Sequence, residues 1–277
     1  MSDKHAGGQA VIEGVMMMYS GKVNTSVRKD NKIISKKKKL KKKNKIQKAF
    51  FIRGLTNIVD MLKIGMESLI WSADQQTEEH ETISKTEVTI SITLSILFAI
   101  LLFIVAPLYL TKLVYKDHGI IFNLIDGLIR IGVFILYILA ISLMNDIKRV
   151  FQYHGAEHKT VNCFEAGKEL TVKNVKKFSK VHSRCGTSFL IIVLIISILI
   201  FSLITSQKWY YKLVLRLILL PIIISLSYEL LRISDKLKNN IIFNTLNKPG
   251  LWIQKITTKE PDNEQIEVAI HSLKKVI

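Results

Sequence analysis

Apolar residues gather in four long blocks, at residues 88–111, 124–145, 188–206 and 211–228, separated by polar and charged stretches. A helix needs about 20 apolar residues to cross ~30 Å of hydrocarbon, so these blocks predict four transmembrane helices. The first block carries no charge, and Pro107 stands near one end, where a kink is tolerated. The second contains Asp126 and Arg130, and the fourth contains Arg216. A spacing of four predicts that Asp126 and Arg130 share a helix face and pair. Both arginines are expected to snorkel to headgroups on one side of the membrane.

Other periods occupy the stretches between. Residues 23–27 and 32–36 alternate around Asp30-Asn31, which predicts a short β-hairpin. Residues 46–70 space Phe50, Ile58, Met61, Leu62, Met66, Leu69 and Ile70 as one helical face, suited to a membrane surface or to neighbouring elements. Residues 72–87 read as a polar linker. Lys248-Pro249-Gly250 predicts a break. Beyond it Ile266, Ala269, Ile270, Leu273 and Val276 form the stripe of a last helix, started by a capping box of Asp262 and Gln265. The expected fold class is an all-α integral membrane protein of about four transmembrane helices, with a cap and a short N-terminal β-hairpin. The expected segments are 1–87 (N-terminal), 88–145 (helices one and two), 146–187 (a middle loop), 188–228 (helices three and four) and 229–277 (a tail with an amphipathic helix).

Charge orients this arrangement. The chain has 40 Lys+Arg against 22 Asp+Glu, with seventeen Lys/Arg ahead of the first block and nine in residues 146–187. The two short loops carry Lys112 and Lys116, and Lys208 and Lys212. Positive residues stay inside, so a multi-pass protein of the cell membrane with both termini and the middle loop in the cytoplasm is expected. No apolar stretch follows the start MSDKHAGGQA, so no cleaved signal peptide is expected. Cys163 and Cys185 would then be free thiols or ligands in a reducing compartment, and two cysteines exclude a disulfide framework. The lysine run at 36–48 has no interleaved aromatics on which bases could stack, so no specific nucleic acid is expected. It reads as a solvated turn, with anionic lipid headgroups the next reading. The bilayer is the partner that composition demands; no protein partner is indicated.

Candidate chemistry lies in Tyr153-His154-Gly155-Ala156-Glu157-His158-Lys159. At ~100° per residue, His158 lies about 40° from His154 and Glu157 about 60° to the other side. One helical face would present two imidazoles and a carboxylate, in the H-x-x-E-H order that reverses the zinc-protease helix. His154 and His158 are therefore read as ligands of a divalent metal, zinc on ligand type, with Glu157 as general base. The third ligand stays open: His182 leads, Cys185 is its rival, and Glu229 and Glu165 fall near the same end of the molecule. Glu13 is a carboxylate in an apolar stretch, which must be paired, protonated or metal-bound. A tight structural turn explains the glycines around it equally well. Met16, Met17 and Met18 read as core filler.

The strings GGQAVIEGVMM, FQYHGAEHKTVNCFE, HSRCGTSFL, SYELLR and PGLWIQKITTKEPDNEQIEVAI, in this order, resemble the YqhQ-like family of bacterial membrane proteins. That family is a domain of unknown function, described as metal-dependent enzymes with no assigned reaction. The resemblance covers nearly the whole chain and implies a membrane location and metal dependence. By motif position it points to His154, Glu157, His158, His182, Arg184 and Cys185, with Glu13 and Glu260 in the flanking motifs. It thus adds Glu13 to Glu157 as catalytic candidates, and Arg184 and Glu260 as substrate-binding ones. Met18 stands where many relatives have arginine, so a role for that arginine does not carry over. The expected function is a metal-dependent membrane hydrolase of a peptide, ester or phosphoester bond, working at the cytoplasmic membrane surface. The rival expectation is a non-enzymatic membrane scaffold held by a structural metal.

Overall fold

The computed structural model describes residues 5–41, 43–77, 84–116, 119–204, 208–237 and 240–277. The chain opens as an antiparallel meander of four strands: β1 (Gly7–Val11), β2 (Gly14–Tyr19), β3 (Lys22–Lys29) and β4 (Lys32–Lys39). Glu13, Ser20 and Asp30 turn the chain with positive φ between successive strands. The hairpin expected around Asp30-Asn31 is β3–β4, with Val27 opposite Ile34. The rest of the sheet corrects the all-α expectation. Alternation cannot reveal β2, because both of its faces are buried and both are apolar. Val15 and Met17 enter one core, Met16 the other.

Ten α-helical segments follow among the described residues. The first five are α1 (Ile52–Gln76), α2 (Lys85–Ile100), α3 (Ala106–Val114), α4 (Ile120–Ile141) and α5 (Asn145–Glu165). The others are α6 (Val172–Val175), α7 (Gly186–Ser202), α8 (Trp209–Lys236), α9 (Ile241–Thr257) and α10 (Asn263–Lys274). The sheet lies between two helical layers. Ile64 of α1 packs with Val11, Met16, Val23 and Val27 on one face. On the other, Val15 and Met17 meet Tyr153 and Ala156 of α5 and Ile266, Ala269 and Leu273 of α10. The capping box that starts α10 is present: Asp262 Oδ1 accepts from the Gln265 N–H at 2.8 Å, and Gln265 Oε1 accepts from the Asp262 N–H at 3.0 Å.

Among the described residues, three helical runs are long and apolar enough to cross a membrane: Thr86–Val114, Ile120–Ile141 and Tyr210–Ser234. The first joins α2 to α3 through a π-helical turn at Leu101–Val105, just before Pro107, where a proline is accommodated without a break. Its Ile90, Leu94, Leu97, Phe98 and Leu101 face outward, as they would toward lipid and not toward water. The block at 188–206 is shorter than expected, since α7 spans 17 residues and ends at Ser202. The block at 124–145 also overran: α4 stops at Ile141 and α5 starts afresh at Asn145.

Further expectations are corrected. The break at Pro249 does not occur, because α9 continues through it. The supposed linker at 72–87 is helical to Gln76, and residues 78–83 of it lie outside those described. The first part of the lysine run is a strand and not a solvated turn. Lys36 and Lys38 stand on β4 and pair with Glu67 of α1, and lysines on an edge strand discourage pairing with another chain.

The arginines of the apolar blocks do not snorkel. Asp126 Oδ2 accepts from Arg130 Nη2 at 2.7 Å, the expected pair, while its Oδ1 accepts from Arg216 Nη1 at 2.9 Å. Both guanidiniums are buried, and each lies over the Phe201 ring. Lys212 Nζ sits 3.7 Å from the centre of the Phe122 ring. Protein groups in α4, α7 and α8 meet these charges inside the bundle, so there is no gain in reaching for headgroups.

Candidate metal centre

The site is built on α5. Residues 154 and 158 are one turn apart, and their rings lie 4.4 Å apart, centre to centre. Gly155 lets the chain after α9 cross this helix closely, because a Cβ there would stand 2.1 Å from the Lys259 carbonyl oxygen. The Lys259 N–H donates to the Phe151 carbonyl at 2.8 Å. That crossing carries the Thr257 carbonyl to His154 Nδ1, at 2.8 Å. The Lys180 carbonyl meets His158 Nδ1 in the same way, at 2.7 Å. A carbonyl can only accept, so Nδ1 carries a proton in each ring, which leaves Nε2 as the nitrogen able to bind a metal. Outer hydrogen bonds of this kind orient histidines that bind metals.

Cys185 supplies the third donor. It caps α7, its sulfur accepts from the Thr187 N–H at 3.3 Å, and that sulfur lies 3.3 Å from His154 Nε2. Ligand atoms of His154, His158 and Cys185 all lie within 4.8 Å of one another. Two imidazoles and a cysteine sulfur at this spacing could hold a metal ion. His182 takes another place. Its Nε2 lies 3.4 Å from Glu165 Oε2, and its Nδ1 accepts from the Arg184 N–H at 3.3 Å. Both ring nitrogens are engaged. Gln254, buried and unforeseen from sequence, accepts from the His182 N–H and donates to its carbonyl, each at 2.9 Å.

Glu157 Oε2 lies 3.4 Å from His158 Nε2. Burial raises the Glu157 carboxyl above the ordinary carboxylate range, against the pull of His154 and His182. Burial likewise lowers the His158 imidazole, which favours the neutral form a metal needs. Strand β1 runs directly over this carboxylate: a Cβ on Gly8 would stand 2.7 Å from Glu157 Cγ. At Glu165 burial pushes upward, but the His182 hydrogen bond and the Arg184 charge outweigh it and hold the carboxyl low.

The other sequence candidates are dispersed. Glu13 does not join the cluster. In the β1–β2 turn it is clasped by the Arg149 guanidinium and accepts from the Tyr153 hydroxyl at 3.3 Å. Glu229 is held by Arg53 through two bonds of 2.6 Å, and not by its neighbour Arg232. Glu260 is mostly exposed and pairs with Lys159. Arg184 pairs with Glu165 and does line the cavity beside the cluster. That cavity, of about 710 Å³, also receives Asn57 and Met61 from α1 and Tyr228, Leu231 and Arg232 from α8. Sequence reasoning missed these because the helices that carry them are distant in the chain.

Fold and site together define a mostly helical protein with three helices able to cross a membrane, a small sheet at its N-terminus and a His/His/Cys cluster at a cavity. The family profile described as "Protein of unknown function (DUF1385)" matches residues 50–277. The chain is 33% identical over 295 residues to "Uncharacterized protein YqhQ" of Bacillus subtilis (strain 168), covering 98% of this chain and 92% of that relative. It belongs to this YqhQ-like family of unknown function. No solved structure matches.

Proposed function

We propose that the protein is a metal-dependent membrane enzyme, a hydrolase whose site lies at the cytoplasmic membrane surface. The observation that carries this reading is the pair of imidazoles, each held at Nδ1 by a backbone carbonyl, whose ligand atoms lie within 4.8 Å of one another and of one from Cys185. His154, His158 and Cys185 would hold a divalent metal, zinc by donor type. Bound there, the metal supplies Lewis-acid polarisation of an ester, phosphoester or peptide bond. Glu157 accepts a proton at its carboxylate from the attacking water and returns it to the leaving group. Arg184 stands in the cavity wall, where it can orient an anionic group. Three donors converge among the described residues, and three ligands leave a coordination position open. That favours the enzyme over a scaffold closed by four.

On this reading α7 is the fourth span, short but apolar, and the helices bring both termini and the α5 site to the cytoplasmic side. Glu157→Gln tests the chemistry. The variant should keep its metal and lose about 10²- to 10⁴-fold in hydrolysis of ester and phosphoester panels. Loss of the metal instead would make Glu157 a ligand and remove the base from this account.

A further inference from the structure

Resting on the hydrolase reading, we infer that the substrate is an anionic phospholipid, drawn from the bilayer into the cavity between α1 and α8. The cavity lining combines two kinds of residue. His154, Glu157, His158 and Cys185 belong to the candidate site. Met18 of β2, Met61 and Ile64 of α1 and Leu231 of α8 are apolar. A small polar substrate has no use for the second set; an acyl chain does. At about 710 Å³ the space suits a headgroup, its glycerol and the first methylenes of the chains.

The position of α1 gives the route. Tyr228, Leu231 and Arg232 belong to the stretch Tyr210–Ser234, which is long and apolar enough to cross a membrane. α1 is braced along that same stretch. Arg53 holds Glu229, the Asn57 amide donates to the Tyr228 hydroxyl at 2.6 Å, and Gly54 lies against Ser225. A helix packed on a membrane span at this level has lipid beside it. Its free side agrees: Ile52, Leu55, Val59, Leu62 and Met66 are exposed at spacings of three and four, a continuous apolar stripe.

Charge selects the headgroup. Lys43, which lines the cavity, pairs with Asp60 at 2.6 Å, so that carboxylate is neutralised. Arg184 is likewise paired, with Glu165, and Arg232 brings a further guanidinium to the same space, with Glu157 as the carboxylate beside them. Guanidiniums match phosphate oxygens in geometry as well as in charge.

The test uses the full chain in nanodiscs, with a fluorescent phosphatidylglycerol as probe and phosphatidylcholine, inorganic phosphate and a short acidic peptide as competitors. Metal content and thermal stability are measured on every sample. Wild type should bind the probe saturably, resist all three competitors and lose about tenfold in affinity in Met61→Trp, which adds bulk among the apolar lining residues. Arg232→Gln should erase the preference over phosphatidylcholine while keeping the fold. Equal binding by a folded Met61→Trp variant, or displacement by phosphate or by the peptide, would overturn the inference. Stoichiometric metal with no bound probe would overturn it alone. Probe in the cavity with no metal in the wild type would overturn the hydrolase reading and, with it, the lipid's place as substrate.

Discussion

At the scale of single residues, the site turns on which side chain meets the two imidazoles. His182 and Cys185 are three positions apart, and both precede α7, so the string His182-Ser183-Arg184-Cys185 presents them as equals. The fold separates them: Cys185 faces His154 Nε2, while both nitrogens of His182 are taken by Glu165 and the Arg184 N–H. We expect Cys185→Ala to lower metal content sharply and His182→Asn to retain it, read by elemental mass spectrometry. Metal lost from the His182 variant and kept in the Cys185 variant would reverse the assignment. The pair His154 and His158 was legible because a spacing of four fixes a shared helix face. Their orientation was not, since the Thr257 and Lys180 carbonyls that set it come from other parts of the chain.

At the scale of elements, local signals fared better than tertiary ones. The capping box of α10 and the turn at Asp30-Asn31 are local, and both are present. β2 carries no such signal, because a strand buried on both faces reads as one apolar run, and β1, Gly-Gly-Gln-Ala-Val, is too short and too rich in glycine to alternate. Pro249 inside α9 was not legible either, since packing around a proline is invisible in sequence. Among the buried charges, the spacing of Asp126 and Arg130 was legible, but the arrival of Arg216 on the same carboxylate was not. Asp126→Asn would leave two buried guanidiniums without their counter-charge. We expect a loss of about 3–5 kcal/mol, the usual cost of breaking a buried pair by removing one partner. Thermal unfolding in detergent measures it; an unchanged midpoint would mean that Arg130 and Arg216 find other partners.

For the whole molecule, the sheet ties the chain's two ends together: β2 and β3 pack on α10, and α5 lies against both β1 and α10. The candidate site sits where this cap meets the helices able to cross a membrane, on α5 and on the N-cap of α7. Its side of the membrane is open to direct test. With the two native cysteines replaced, an impermeant thiol reagent applied from outside intact cells should label Lys116→Cys and spare Lys168→Cys. The opposite pattern would place the site outside the cell and end the cytoplasmic reading.

The central claim is that His154, His158 and Cys185 hold a metal. Elemental mass spectrometry of the purified, detergent-solubilised protein tests it most directly, with wild type beside the His154→Ala/His158→Ala double variant. About one divalent ion per chain is expected in the wild type, lost in the double variant while the fold is kept. No metal in a folded wild type, or the same metal content in both proteins, would contradict it.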